Sequence, residues 1–285
     1  MTPVPTAIAA PGYRPAHTLR LRTEMTRQLT RRRTQVTFAL VVLLPVLLWA
    51  AFGLAKQGPP SGSLSLVDLA KTGGPNFTVF AMFASAGFLL VVVVALFFGD
   101  TVASEASWSS LRYLLAIPVP RIRLLRQKAI VAAALSVCGI AVLAVSALLV
   151  GTVAYGTTDL VSLTGESLQF GPAAARLMLG ALYIALNLSW VAALALLLSV
   201  RTDAPLGAVG GAVMASIISQ ILDTISPLED LRDYLPTHYA NAWSDLFAEH
   251  IDWGDMTRGV FSSLAYAAVF GTLAVWRFSV KDITS

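Results

Sequence analysis

Gly99–Lys128 reads GDTVASEASWSSLRYLLAIPVPRIRLLRQK, and the layout of the whole chain follows from how this stretch is read. It is the one long polar, charge-bearing segment lying between two strongly apolar runs. It holds Arg112, Arg121, Arg123, Arg126 and Lys128 in a chain otherwise poor in charge. Basic residues beside membrane spans stay on the cytoplasmic side, so the charge pattern predicts that this loop faces inward. In its first half Trp108, Leu111 and Leu115 recur at spacings of three and four, which puts one apolar stripe on a short helix. Glu105 and Arg112 lie two turns apart beside that stripe. Pro118 and Pro120 then break the helix, because neither donates a backbone hydrogen bond. A basic helical start, Arg121 to Lys128, runs straight into the next apolar run. An amphipathic helix, a proline break and a basic restart together form a docking platform at a membrane surface.

Composition places the chain in the bilayer. It is 56% hydrophobic and 13% charged, with a mean hydropathy of +0.72, whereas soluble domains carry about 25% charged residues. The net charge of +4 is no nucleic-acid signature, since the basic residues cluster at the ends of apolar runs. Cys138, the single cysteine, lies within an apolar run, so no internal disulfide forms and thiol chemistry is not expected.

Residues 1–17 are rich in Pro and Ala without periodicity, the pattern of a disordered tail. Residues 18–35 are strongly basic, and Leu21, Met25 and Leu29 repeat every four residues, as in a helix lying among lipid headgroups. Residues 36–285 then carry six apolar runs, at about 36–55, 77–98, 129–155, 174–200, 206–225 and 259–276. Each is near the ~20 residues that span a ~30 Å hydrocarbon core. The first is longer than a cleaved signal core and reads as an anchor, with Pro45 as a kink. The connection 56–76 is rich in Gly, Pro and Ser. Residues 227–258 are acidic and read as a re-entrant or interfacial helix, because Trp243, Leu246 and Phe247 share a face. With both termini inside, fifteen of the twenty basic residues fall on the inward side; Lys56, Lys71, Arg176, Arg232 and Arg258 remain outside. That bias predicts an all-α membrane protein of six transmembrane helices with both termini cytoplasmic.

The opening stretch carries a resemblance. Glu105, Ser109-Ser110-Leu111-Arg112, Leu114-Leu115, Pro118-Val119-Pro120-Arg121, Leu124-Leu125 and Lys128 resemble the first cytoplasmic loop of type-2 ABC transporter permeases. That family commonly reads Glu, a few residues, Gly-Thr-Leu-Arg, Leu-Leu, Pro-Val-Ser-Arg, then Leu-Leu and Lys. Here Ser109 and Ser110 stand for Gly-Thr, and Pro120 stands for Ser, which stiffens the backbone locally. Lys281-Asp282-Ile283 after a basic-aromatic exit is similar to the family's usual ending. The resemblance implies that the loop is a coupling helix seated on a separate ATPase. Glu105, Trp108, Leu111, Arg112, Leu115 and Arg121 would then be its coupling residues. It also implies an N-terminal elbow helix at 18–35, for which the alternative is a topology anchor on anionic lipid. Two ATPase copies bearing ATP and Mg, and a second permease copy in a homodimer or heterodimer, would complete a bacterial-type plasma-membrane exporter. Gly207, Gly211 and Ala215 recur every four residues in the fifth run, a spacing that lets helix backbones approach. The resemblance makes them a contact between two permeases; packing within one chain explains them equally well.

Chemistry of other kinds is sparse. No G-x-x-x-x-G-K-[ST] phosphate loop occurs, so this chain is not expected to bind ATP or act as an enzyme. His238 and His250, with Asp245, Glu249 and Asp252, match no recognised zinc spacing, and no metal or other cofactor is expected. Asn187 and Gln220 are the polar residues deepest in the spans, fitted either to bridge neighbouring helices or to touch a translocated substrate. An ion-driven transporter would need paired acidic sites near the midplane, which the spans hardly offer. A non-transporting membrane assembly or sensor subunit is the remaining alternative.

Overall fold

Long apolar runs can cross a bilayer only if each backbone polar group is bonded within the segment, so they fold as helices. The computed structural model describes residues 21–54, 66–107, 121–162, 166–248 and 250–280. Helix α1 spans Leu21–Leu29, and α2 spans Arg32–Leu54. The short α3, Leu66–Ala70, is followed by α4, Gly74–Ala86, and α5, Leu89–Ser107. Helix α6 is the longest, Arg121–Tyr155. After it come α7, Phe170–Asn187, α8, Ser189–Arg201, α9, Pro205–Asp223, and α10, Gly254–Val280. Among the described residues five helical stretches are long and apolar enough to cross a membrane, and six if the bent pair α4–α5 counts as one. The protein is an all-α, multi-pass membrane protein.

The second apolar run, expected as one span at 77–98, is two helices meeting at 54°. Two local causes coincide at the bend. The Ser85 hydroxyl bonds back to the Ala81 carbonyl at 2.5 Å, a contact that bends helices, and Gly87 offers little resistance to a break. The fourth run also breaks, at Leu188, between α7 and α8. Helix α8 is packed from several sides, by α5, α9 and α10, while α6 gathers α2, α4, α5 and α7. By contrast α2 and α10 keep apolar outer faces, including Leu40, Leu47 and Trp49 on the first and Phe261, Val269 and Trp276 on the second. Lipid tails cover such faces in a bilayer.

The basic residues gather at one end of this bundle, where α1 lies and where α5 ends and α6 begins. At the opposite end Leu160–Val161 and Ser167–Leu168 pair as a small antiparallel hairpin. Asn76, near the start of α4, holds it from both sides. Its Nδ2 donates to the Val161 carbonyl at 2.7 Å, and its Oδ1 accepts from the Val161 N–H at 2.9 Å.

The acidic segment departs from its expected form. It is not a re-entrant α-helix but two 3-10 segments, Ser226–Tyr234 and Ala242–Phe247. Pro227 and Pro236 interrupt it, and Glu229 adopts φ 42°, which a continuous helix cannot include. Trp243 and Leu246 are fully buried rather than set at the lipid boundary. The Trp243 ring lies 4.4 Å from that of Phe83 on α4, and Gly180 on α7 leaves room for it.

Candidate functional site

At the basic end one carboxylate collects three elements. Lys128, two turns into α6, places Nζ 2.5 Å from Glu105 Oε1 near the end of α5, and both side chains are 5% exposed. Arg27 of α1 donates from Nη2 to the same Glu105 oxygen at 2.9 Å and to Glu24 Oε1 at 2.8 Å. Glu24 is also 3.7 Å from Lys128 and accepts from Gln28 Nε2 at 3.1 Å. One turn earlier on α5, the buried Asp100 pairs with Arg33 and, at 3.3 Å, with Arg31. Helix α8 adds a neutral pin: Ser199 Oγ accepts from the Val102 and Ala103 N–H groups, each at 3.0 Å.

The electrostatics follow from this crowding. Burial alone would raise the Glu24 carboxyl, but Lys128 and Arg27 outweigh it and hold Glu24 below its ordinary value. Burial likewise opposes the Arg27 charge, yet Glu24 and Glu105 overcome it and raise that guanidinium. Arg31 goes the other way: burial and the nearby Arg27 and Arg33 lower it despite Asp100. The cluster thus fixes its charges by mutual pairing, the condition under which buried ions are tolerated.

These positions bear directly on the coupling residues read from sequence. Glu105 turns inward, into the chain's own ion cluster with Lys128 and Arg27. Arg121 opens α6 and donates from Nη1 to the Ser279 carbonyl near the end of α10, at 3.4 Å. Trp108, Leu111, Arg112 and Leu115 lie outside the described residues. What is described is the frame on either side of them. Helix α5 leads in and α6 leads out, and the Glu105–Lys128 pair ties the two together. Sequence reasoning passed over Glu24 and Asp100; an isolated acid in a run of arginines, and another at the end of an apolar run, were the available signals.

Residues 21–202 match the family described as ABC-2 family transporter protein. The chain belongs to the ABC-2 transporter family. No significant match to a curated protein was found. Permeases of this family usually work with an ABC ATPase carried on a separate chain. In this ABC-2 permease the matched region runs from α1 through α8, and so contains the whole basic-end cluster.

A second polar site of the permease lies where its two broken helices meet. A cavity of about 240 Å3 is lined by Gly87 at the α4–α5 break, by Asn187 and Leu188 at the α7–α8 break, and by Ser216, Gln220 and Asp223 of α9. Gln220 donates from Nε2 to the Gly87 carbonyl at 2.8 Å and to Ser216 Oγ at 3.2 Å. It therefore satisfies a backbone group that the break exposes. Asn187, only 3% exposed, donates from Nδ2 to Ser263 Oγ of α10 at 3.1 Å. Both residues bridge helices and both line the cavity. Outside it His238 joins Asp223, at 2.6 Å from Nδ1, to Asp233, at 3.2 Å from Nε2. Among the described residues no cluster of His, Cys, Asp and Glu is arranged to hold a metal ion.

On α9 the small residues that are buried are Ala208, Ala212, Ser216 and Ser219, the first three one position on from the stripe singled out in the sequence. Gly207 and Gly211 lie at the exposed border of that face, and a side chain at Gly211 would meet Leu198 of α8 at 2.9 Å. The outer face of α9, with Leu206, Met214 and Ile218, is apolar and open.

Proposed function

We propose that this permease is the transmembrane subunit of an ATP-driven ABC exporter. It couples ATP hydrolysis on a separate ATPase subunit to outward movement of a substrate. The observation that carries this reading is the buried ion cluster at the root of the 108–120 segment. Because Glu105 is paired with both Lys128 and Arg27, a displacement of that segment moves α1, α5 and α6 as one body. A loop that served only to join two spans would not need such a cluster. The N-terminal α1 acts in this scheme as an elbow helix. Two permeases meet across the outer face of α9 at Gly207, Gly211 and Ala215, above two ATPases that hold ATP and Mg. The polar cavity at Asn187 and Gln220 forms part of the translocation path. The basic end faces the cytoplasm of a bacterial-type plasma membrane.

Copurification tests the partner, and one substitution tests the docking surface. Trp108, Leu111 and Leu115 form the apolar stripe that a groove on the ATPase would accept, with Arg112 at its edge. Truncating a buried aromatic anchor commonly costs ~2 kcal/mol or more, about thirtyfold in affinity. Trp108→Ala is expected to insert and melt normally, yet to lose ATPase pull-down and transport. Normal pull-down and transport by this variant would overturn the docking role. The wild-type chain purified alone is expected to hydrolyse no ATP above background.

A further inference from the structure

The cavity between the two helix breaks has a one-sided chemistry. Gln220 Nε2 donates to the Gly87 carbonyl and to Ser216 Oγ, and its Oε1 has no donor among the described residues. Asn187 is 97% removed from solvent by its 3% exposure, its Nδ2 is taken by Ser263, and its Oδ1 likewise has no donor among the described residues. Asp223 supplies a carboxylate at the same wall, and no Lys or Arg is among the lining residues. Trp190 closes one side with an aromatic ring. Unfilled amide acceptors and a carboxylate whose Oδ1 also meets His238 Nδ1 at 2.6 Å, with no Lys or Arg in the lining, attract a group that brings hydrogen-bond donors and positive charge.

The surroundings point the same way. The described part of residues 223–258 carries Asp223, Glu229, Asp230, Asp233, Asp245, Asp252 and Asp255 against Arg232 and Arg258. Burial first, then the charges of Asp255 and Asp252, push the Asp245 carboxyl up from its ordinary value. An acidic segment of this sign attracts cations to the end of the bundle on which the cavity's Asp223 lies. The volume, about 240 Å3, equals about eight waters at ~30 Å3 each and suits a head group rather than a whole large ligand.

We infer that this cavity binds the ammonium group of an amine, held by Asp223, Asn187 Oδ1 and Gln220 Oε1 with Trp190 as its aromatic wall. A primary ammonium offers three donors, one for each acceptor. An attached alkyl chain would leave toward the apolar surroundings of α4 and α9. The inference rests on the reading of this cavity as part of the translocation path. It is tested by binding alone, so the site and the transport role fail separately.

The experiment titrates the full-length permease in lipid nanodiscs, without ATPase, with hexylammonium, hexanol or hexanoate, after subtracting partition into empty nanodiscs. Hexylammonium is expected to bind saturably, at least tenfold tighter than hexanol, with hexanoate showing no saturable binding. Asp223→Asn and, separately, Asn187→Leu should each weaken hexylammonium about tenfold or more. Asp223→Asn also alters the His238 contact, so melting of each variant is recorded, and Asn187→Leu leaves that contact in place. Equal binding of hexanol, preference for hexanoate, absence of saturable hexylammonium binding, or full affinity in a well-folded Asn187→Leu protein overturns the inference. Transport by a permease that binds no amine would sink this site and leave the exporter reading standing.

Discussion

Lys128 shows what a single residue contributes here. An ammonium group that is 5% exposed is strongly disfavoured unless a counter-charge replaces its water, and Glu105 does so at 2.5 Å. Removing one partner of an isolated buried pair commonly costs about 3–5 kcal/mol, and here Arg27 at Glu105 and Glu24 at 3.7 Å from Lys128 take up part of that loss. Lys128→Met and Glu105→Gln should therefore each lower the melting temperature of the purified permease. The double variant should cost less than the sum of the two, since neither buried charge then lacks its direct partner. Thermal melts of the three proteins in one detergent test this, and an additive double variant would show that the pair is not coupled. Glu24 adds a dependence on pH whose sign is fixed by its pairing. Its folded pKa lies below its ordinary value of 4.5, so its contribution is present above that value. The contribution is lost as pH falls through the lower, folded value. Proteolysis within α1 should accordingly rise as pH drops below the ordinary carboxylate range. In Glu24→Gln that acid-side step should disappear.

At the scale of elements the helix breaks and close approaches decide the packing. Gln220→Leu removes the donor from the Gly87 carbonyl at the helix break, and losing one hydrogen bond costs about 0.5–1.5 kcal/mol. It should destabilise the protein more than Ile218→Ala does on the open face of the same helix, as compared by melting. Gly259 is a tighter case: a Cβ there would lie 2.6 Å from Tyr239 Cβ and against the Tyr183 hydroxyl. Gly259→Val should cost about 1–3 kcal/mol by overpacking and disturb the Tyr183–Tyr239 bond of 2.6 Å. The apolar runs themselves were plain from hydropathy, and so was the basic end, because lipid selects for both over whole segments. The bends were not, since an apolar window has the same composition whether its helix is straight or broken at Gly87 or Leu188. Nor was the ion cluster, which joins Arg27 to Glu105 across 78 residues. Asn187 and Gln220 stood out as polar residues in spans. That they face one cavity depends on two breaks that periodicity does not report. The acidic segment read as helical from three aromatic and aliphatic positions, and its prolines and the turn at Glu229 decided otherwise.

For the whole molecule the question is which end of the bundle faces the cytoplasm. The cluster at α1, the start of α6 and the end of α8 gathers most of the arginines, and the hairpin end keeps few basic residues and many acidic ones. Translocation retains lysine and arginine on the cytoplasmic side of short loops, so the α1 end should face inward and the hairpin outward. The chain offers a clean background for this test, because Cys138 is its only cysteine. It is exposed on α6 within an apolar stretch, and Cys138→Ala removes it. In that background Ser167→Cys places a thiol on an exposed position of the hairpin, and Arg123→Cys places one at the start of α6. A membrane-impermeant maleimide should label the first in intact cells and the second only after permeabilisation. Both positions lie on regular structure at opposite ends of the bundle, joined through α6, so their labelling must be opposite if the chain inserts one way. Labelling of Arg123→Cys in sealed cells would invert the orientation. It would also place the 108–120 segment outside, where no cytoplasmic ATPase could reach it, and the proposed coupling would fall with it.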